Sequence, residues 1–307
     1  MTQQQPRFAG VVPPVATPFT SEGAVDHGSL ERLVEHLVAG GAHGLFALGS
    51  TGETAYLTDV QRVEVLSTIV RAAAGRVPVI AGAIELTAMR VLEVARALEA
   101  AGADAIVTTA PIYAINDRAE TAEHFRMVAA GLEVPLWAYD VPVRVHAKLP
   151  ADLLVALGSE GVLAGVKDSS GDDVGFRRLL AANEAAGHPL QVLTGHEVVV
   201  DAMLLAGADG VVPGLGNVDI AGYVRLWQAA QAGDWRLARA EQERLNALFE
   251  IVFQATGRSG DAAGVGAFKA AMVALGLIET ATMARPVRAL EGEVVERVRA
   301  IVSSVGL

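Results

Sequence analysis

The chain has 307 residues, more than most single domains, yet an α/β barrel of about 250 residues forms one domain, so a barrel plus an appendage fits the length. A hydrophobic content of 52% against 19% charged excludes a disordered chain, and there is no uncharged apolar run of about 18 residues to span a membrane. A net charge of -11 without a basic run argues against nucleic acid, no cysteine is present for disulfides or thiolate ligation, and Met1-Thr-Gln-Gln-Gln-Pro-Arg7 lacks the regions of a signal peptide, so a cytoplasmic location is expected.

Eight short apolar, β-branched runs bounded by Gly, Pro or Asp predict strands at residues 10–16, 44–48, 78–83, 105–110, 135–139, 163–167, 191–194 and 210–213. They recur every 20 to 35 residues or so, roughly the spacing of consecutive βα units. Between them lie amphipathic stretches: Leu30, Leu33, Val34, Leu37 and Val38 keep the spacing of one helical face, and Thr58 and Thr87 stand where helix N-caps belong. Gly41-Ala-His-Gly44, Gly102-Ala-Asp-Ala105 and Gly207-Ala-Asp-Gly210 form a weak repeat, each ending a helix with Gly shortly before a strand. Pro78, Pro135 and Pro189 do that work before the third, fifth and seventh runs. Continuous apolar strands with helical crossovers imply a parallel sheet covered on its outside, and eight units imply closure. Residues 220–253 and 264–305 keep helical periodicity without a strand. The expected fold is a (β/α)8 TIM barrel over 1–218, with C-terminal helices over 219–307 packed on it as one structural unit.

In such a barrel, catalytic groups project from the C-terminal ends of the strands. Four predicted ends are polar: Gly49-Ser-Thr-Gly-Glu53 after the second run, Ala110-Pro-Ile-Tyr113 after the fourth, Tyr139-Asp-Val-Pro142 at the fifth and Lys167 at the sixth. The chain has only three lysines, Lys148, Lys167 and Lys269, its other basic residues being arginines. A lysine can lose its proton in a desolvated pocket and attack a carbonyl, which a guanidinium cannot. Lys167 is therefore either an amine nucleophile or a strand-end cation held by Asp168. The fifth and sixth strands are neighbours about 4.8 Å apart, which lets Tyr139 and Lys167 meet as a proton-transfer pair.

The remaining pieces each have a plain structural alternative. Gly49 to Glu53 also reads as a tight turn with Glu53 favourable in a first helical turn, Tyr113 as a rim aromatic, and Tyr139 as a core residue with a satisfied hydroxyl. Gly214-Leu-Gly-Asn217 follows the eighth run, where barrels often bind phosphate, but its reading as a loop is preferred. The histidines form no His-x-x-x-His pair, so no metal site is expected, and His196-Glu197 reads as a helix start.

Together these motifs resemble the dihydrodipicolinate synthase and N-acetylneuraminate lyase family of pyruvate-dependent class I aldolases. Gly49-Ser-Thr-Gly-Glu53 matches its Gly-x-x-Gly-Glu, Tyr139-Asp-Val-Pro142 its Tyr-x-x-Pro, and Gly165-Val-Lys-Asp168 its Gly-x-Lys-(Asp/Glu). The resemblance implies a Schiff base between Lys167 and pyruvate or another 2-keto acid, with no metal or other cofactor. It makes Tyr139 the proton shuttle and assigns Gly49, Ser50 and Thr51 to the turn that holds the pyruvate carboxylate. It relates Tyr113 to a tyrosine that crosses a dimer interface towards the Ser50 position. It places Gly195 and Val212 in the pyruvate pocket and implies a homotetramer.

Arg144 falls where the synthases receive the carboxylate of aspartate semialdehyde, which makes dihydrodipicolinate synthesis the leading expectation. Ser50, Asp140 and Val145 depart from the synthase pattern, and Asp140, taken as adding negative charge near the mouth, suits a hydroxylated aldehyde. Retro-aldol cleavage of a 2-keto-3-deoxy sugar acid or related 2-keto acid is the alternative reaction, and a non-catalytic barrel binding pyruvate or a sugar acid the alternative class. Ala83-Ile-Glu-Leu-Thr87 lacks the lysine-binding asparagine of the synthases, so feedback by lysine is not expected.

Overall fold

The structure, a computed structural model, describes residues 8–307. The segment Met1 to Arg7, expected to carry no signal peptide, lies outside the described residues. The eight predicted strands are present as β1 (Gly10–Val11), β2 (Leu45–Ala47), β3 (Val79–Gly82), β4 (Ala105–Thr109), β5 (Leu136–Asp140), β6 (Gly165–Asp168), β7 (Gln191–Thr194) and β8 (Gly210–Val211). All pair in parallel, in the order β1-β8-β7-β6-β5-β4-β3-β2. The ring closes through a parallel bridge between Pro14 and Phe46, where Val15 N donates to Phe46 O at 2.9 Å and Phe46 N to Pro13 O at 3.0 Å. β1 and β8 are shorter than their apolar runs because Pro13, Pro14 and Pro213 have no N–H to continue a ladder.

Helices cover the outside: α1 (His27–Ala39), α2 (Asp59–Ala73), α3 (Ala88–Ala100), α4 (Arg118–Ala130), the single turn α5 (Pro142–Val145), α6 (Ala151–Ser159), α7 (Asp173–Ala185) and α8 (Val200–Leu205). α1 buries Leu30, Leu33, Val34 and Leu37, the face its spacing predicts. Thr58 forms a full capping box with Gln61 at the start of α2, whereas Thr87 caps α3 by position without a side-chain hydrogen bond. Inside the barrel, Phe8 meets Trp137 edge to face at 5.7 Å and fills the end opposite the site.

The C-terminal part forms α9 (Ile220–Gln231), α10 (Trp235–Phe249), α11 (Gly260–Ala274) and α12 (Glu293–Ser304). The helical periodicity expected over 264–305 is interrupted at 275–292, where Gly276 turns at φ 71° and Pro286 cannot donate to a helical ladder. That irregular segment crosses back over the barrel: Thr280 donates to Phe19 O at 2.8 Å, and Ala284 N to Glu53 at 2.9 Å.

Candidate active site

The site grows out of the β5–β6 register, in which Tyr139 pairs with Lys167 and Asp140 with Asp168. Side chains alternate along a strand, so Tyr139 and Lys167 point into the barrel while both aspartates point to its outer layer. Lys167 Nζ lies 4.2 Å from the Tyr139 ring centroid and 4.9 Å from that of Phe46, and these two rings pack edge to face. The ammonium is thus enclosed by aromatic faces that attract a cation without neutralising it. Among the described residues no carboxylate lies within 4.0 Å of it, which removes the alternative of a strand-end cation held by Asp168.

Tyr139 and Ser50 hydroxyls stand 3.5 Å apart. Burial pushes the Tyr139 phenol up, but the Lys167 ammonium, with hydrogen bonds to Ser50, Lys167 and Ser169, more than offsets this and holds it below its ordinary value. Ser50, Tyr139 and Arg144 open onto a cavity of about 290 Å³ whose other walls include Ala55, Ile84, Ile112, Val141 and Val145. An amine beneath a phenol at the edge of such a cavity can form an imine and move a proton beside it.

The two aspartates are occupied elsewhere. Asp140, 0% exposed, is ion-paired with Lys148 and accepts from Leu149 N at 3.1 Å. Asp168 accepts from Ser170 N at 2.8 Å, and its other oxygen lies 3.3 Å from Lys148 Nζ. The expectation that Asp140 charges the mouth is therefore corrected: the alternation that sends Tyr139 inward sends Asp140 away from the mouth. Burial pushes the Asp140 carboxyl up to about 6 even beside Lys148. The half-exposed Lys148 is raised, since the pull of the two carboxylates exceeds the opposing effect of its partial burial. The desolvation cost thus falls on the enclosed carboxylate.

Glu53 is likewise no first-turn helix residue. It takes a left-handed φ of 57° and turns its carboxylate inward, to an ion pair with Lys269 of α11 and to Ala284 N. Lys269 also donates to Thr282 O at 2.9 Å and lies 4.5 Å from the Phe19 ring centroid. Both partners are almost wholly buried, and burial pushes the Lys269 ammonium down even with Glu53 beside it. The Gly49 to Glu53 turn is thereby tied to the C-terminal helices. Gly49 permits the tight approach, since a Cβ there would stand 2.8 Å from the Phe46 ring, while Thr51 sits half-buried on the turn.

Arg144, placed by Pro142 at the start of α5, is engaged within the chain. Its guanidinium forms a bidentate pair with Asp261 of α11, one arm at 3.2 Å, and Tyr56 donates to the same carboxylate at 2.9 Å. The Arg144 hydrogen bond is the main reason the Asp261 carboxyl is lowered. Gly195 N donates to Asp168 O at 2.6 Å, and a Cβ on Gly195 would collide with the Ser169 hydroxyl. Val212 lines the barrel interior with Lys167. Tyr113 is 95% exposed with a left-handed φ of 75°, and this single chain gives it no hydrogen-bond partner among the described residues.

His196-Glu197 does not begin a helix, because α8 starts only at Val200. Glu197 instead accepts from Leu215 N at 2.7 Å and lies 3.5 Å from the Tyr223 hydroxyl. Burial pushes its carboxyl up to about 7, against the pull of these donors and of the Lys167 ammonium. The Gly214–Asn217 turn is a buried 3-10 helix whose Asn217 donates to Pro14 O and Gly214 O and accepts from Ala16 N. It ties the segment after β8 to that after β1. Among the described residues no group of His, Asp and Glu side chains is placed to hold a metal ion, and no helix is long and apolar enough to cross a membrane.

The family model described as the dihydrodipicolinate synthetase family matches residues 7–305. A 4-hydroxy-tetrahydrodipicolinate synthase of Kineococcus radiotolerans is 32% identical over 300 residues, covering 98% of this chain and 94% of its own. One of Phenylobacterium zucineum is 33% identical over 250 residues, 81% of this chain and 83% of its own. Among solved structures, Escherichia coli YagE, a prophage protein of the dihydrodipicolinic acid synthase family in complex with pyruvate, superposes with a TM-score of 0.91 at 26% identity, covering 97% of this chain and 98% of its own. By its match to the family model over residues 7–305 and by its likeness to these relatives, the chain belongs to the dihydrodipicolinate synthetase family.

Proposed function

We propose that this protein is a Schiff-base lyase that joins pyruvate to an aldehyde. The observation that carries the reading is the register pair Tyr139–Lys167, with the amine 4.2 Å from the phenol ring centroid and, among the described residues, no carboxylate within 4.0 Å of it. Lys167 Nζ attacks the keto carbon of pyruvate, water leaves, and an iminium forms that draws electrons from C3. Tyr139 takes protons from the reacting atoms and returns them, exchanging through Ser50. Loss of a C3 proton gives an enamine; it adds to the aldehyde carbonyl, and hydrolysis of the new iminium frees Lys167. The turn N–H groups with Ser50 and Thr51 hold the pyruvate carboxylate, and Gly49, Gly195 and Val212 shape its pocket. No step needs a metal.

The relatives' named activity makes aspartate semialdehyde the leading aldehyde, with Arg144 as receptor of its carboxylate; with this substrate its own amino group, in place of water, attacks the iminium carbon, displaces Lys167 and closes the ring of 4-hydroxy-tetrahydrodipicolinate. One observation favours a second reading, cleavage of a 2-keto acid to pyruvate and an aldehyde without a carboxylate: Asp261 already occupies Arg144. Turnover of pyruvate with aspartate semialdehyde and with glyceraldehyde, in wild type and Arg144→Ala, separates the two. The synthase reading requires the semialdehyde to be preferred and to lose that preference with Arg144. Turnover of neither aldehyde, in either direction, would overturn lyase function.

We take residues 1–218 and 219–307 as one structural unit, a division supported by the Lys269–Glu53 and Arg144–Asp261 pairs that join them. A homotetramer built of dimers is the proposed assembly. The exposed Tyr113 and Ile115, neighbours on the loop after β4, suit a subunit contact in which Tyr113 reaches a partner's Ser50. A cytoplasmic location completes the proposal.

A further inference from the structure

A cavity of about 600 Å³ lies apart from the lysine centre and shares no lining residue with the pocket of Ser50 and Tyr139. Its walls come from the turn after β1, the loop before α11, the irregular segment 275–292 and α12. Four arginines line it, Arg258, Arg285, Arg288 and Arg297, against a single carboxylate, Glu291, in a chain whose net charge is -11. Most arginines of this protein are ion-paired, but among the described residues Arg258, Arg285 and Arg288 have no carboxylate within 4.0 Å. Arg297 has only Glu293, at 3.9 Å.

Arg258 is moreover held in place. Its guanidinium donates to Arg288 O at 3.0 Å and to Ala289 O at 2.7 Å, contacts that orient the group and leave its charge uncompensated. Gathering like charges around one space costs energy that an entering anion returns. Guanidinium forks match carboxylate and phosphate oxygens equally in geometry, and a cavity of this size admits a small metabolite.

We propose that this cavity is a binding site for a small polyanion carrying two or more carboxylate or phosphate groups, and that its occupancy alters pyruvate binding. The coupling has a continuous physical path. Thr282 and Met283 line the cavity; Thr282 O accepts from Lys269 at 2.9 Å, and the next residue, Ala284, donates its N–H to Glu53 at 2.9 Å. Lys269 and Glu53 are ion-paired, and Glu53 ends the turn that carries Ser50 and Thr51. A ligand drawing Arg285 and Arg288 inward therefore moves a wall fastened to the active-site turn directly at Ala284 and through Lys269 at Thr282. Only this coupling rests on the proposed pyruvate site; the binding itself does not.

The test is calorimetric titration of the full chain with citrate and, separately, with inorganic pyrophosphate, at constant ionic strength because exposed charges are screened. Saturable binding of at least one probe at one site per chain is expected, weakened about tenfold or more in the exposed pair Arg285→Ala/Arg288→Ala, as loss of charge-assisted hydrogen bonds implies. Citrate alone binding identifies carboxylates as the recognised groups, and pyrophosphate alone phosphates. No saturable heat with either probe up to about 10 mM, or equal binding by the variant, overturns the site. With the probe saturating, the KM for pyruvate shifts in wild type and stays constant in the variant; a constant KM in both overturns the coupling. Because titration needs no substrate, failure of the lyase reading would leave the binding result standing.

Discussion

Replacing Lys269 by methionine tests the join between the C-terminal helices and the catalytic turn. Methionine keeps most of the volume and removes the charge, leaving the buried Glu53 carboxylate with Ala284 N as its remaining donor. Lys269 is 0% exposed and the Glu53 side chain 1%, so the remaining carboxylate keeps its desolvation cost without its counter-ion. Removing one partner of a buried pair costs about 3–5 kcal/mol. At roughly 2–4 °C per kcal/mol for a large domain, this lowers Tm by about 6–20 °C. The double variant Glu53→Gln/Lys269→Met, with no stranded charge, recovers much of that loss. Thermal unfolding followed by near-ultraviolet circular dichroism reads both, and the KM for pyruvate rises in the single variant as the turn loosens. If Lys269→Met unfolds within a degree or two of wild type, or the double variant melts no higher than the single one, the pair does not anchor the turn.

Other expectations follow from the same structure. Tyr139→Phe lowers kcat about 10²-fold or more, as loss of a general acid–base does, while imine formation on Lys167 survives; undiminished kcat would reassign the proton shuttle. Asp261→Asn releases Arg144, so the KM for aspartate semialdehyde falls relative to that for glyceraldehyde by about tenfold, the value of one charge-assisted contact; an unchanged ratio means that Asp261 does not control the aldehyde. Glu197 binds its proton more tightly folded, at about 7, than at its ordinary value of 4.5. Stability therefore falls as pH rises between those values. Glu197→Gln, which keeps an acceptor for Leu215 N, flattens this part of the pH profile, and denaturant midpoints measured across the window would show an unaltered slope if another group were responsible.

The barrel was legible because strands buried on both faces read as apolar runs, and each of the eight runs became a strand. The Lys167–Tyr139 meeting was legible too, since it needs only neighbouring strands and equal distance to their ends. The outward placement of Asp140 is encoded locally. Side-chain alternation beside an inward Tyr139 already points it outward, and the scarcity of lysine flagged Lys148 as well as Lys167. The partners of Glu53 and Arg144 were not legible: they lie 216 and 117 residues away on α11, and no periodicity or spacing rule joins such positions. Glu197 looked like a helix start because an acid after a strand commonly is one, whereas here its carboxylate is claimed by Leu215 N and the Tyr223 hydroxyl. Each of these residues gets its role from packing between barrel and C-terminal helices, a level that local pattern does not encode.

Imine formation on Lys167 is tested most directly by incubation with pyruvate, reduction with borohydride, and mapping of the adduct by mass spectrometry. The expected result is a single reduced pyruvyl adduct on Lys167, absent in Lys167→Ala. No adduct, or one on Lys148 or Lys269 instead, would contradict it.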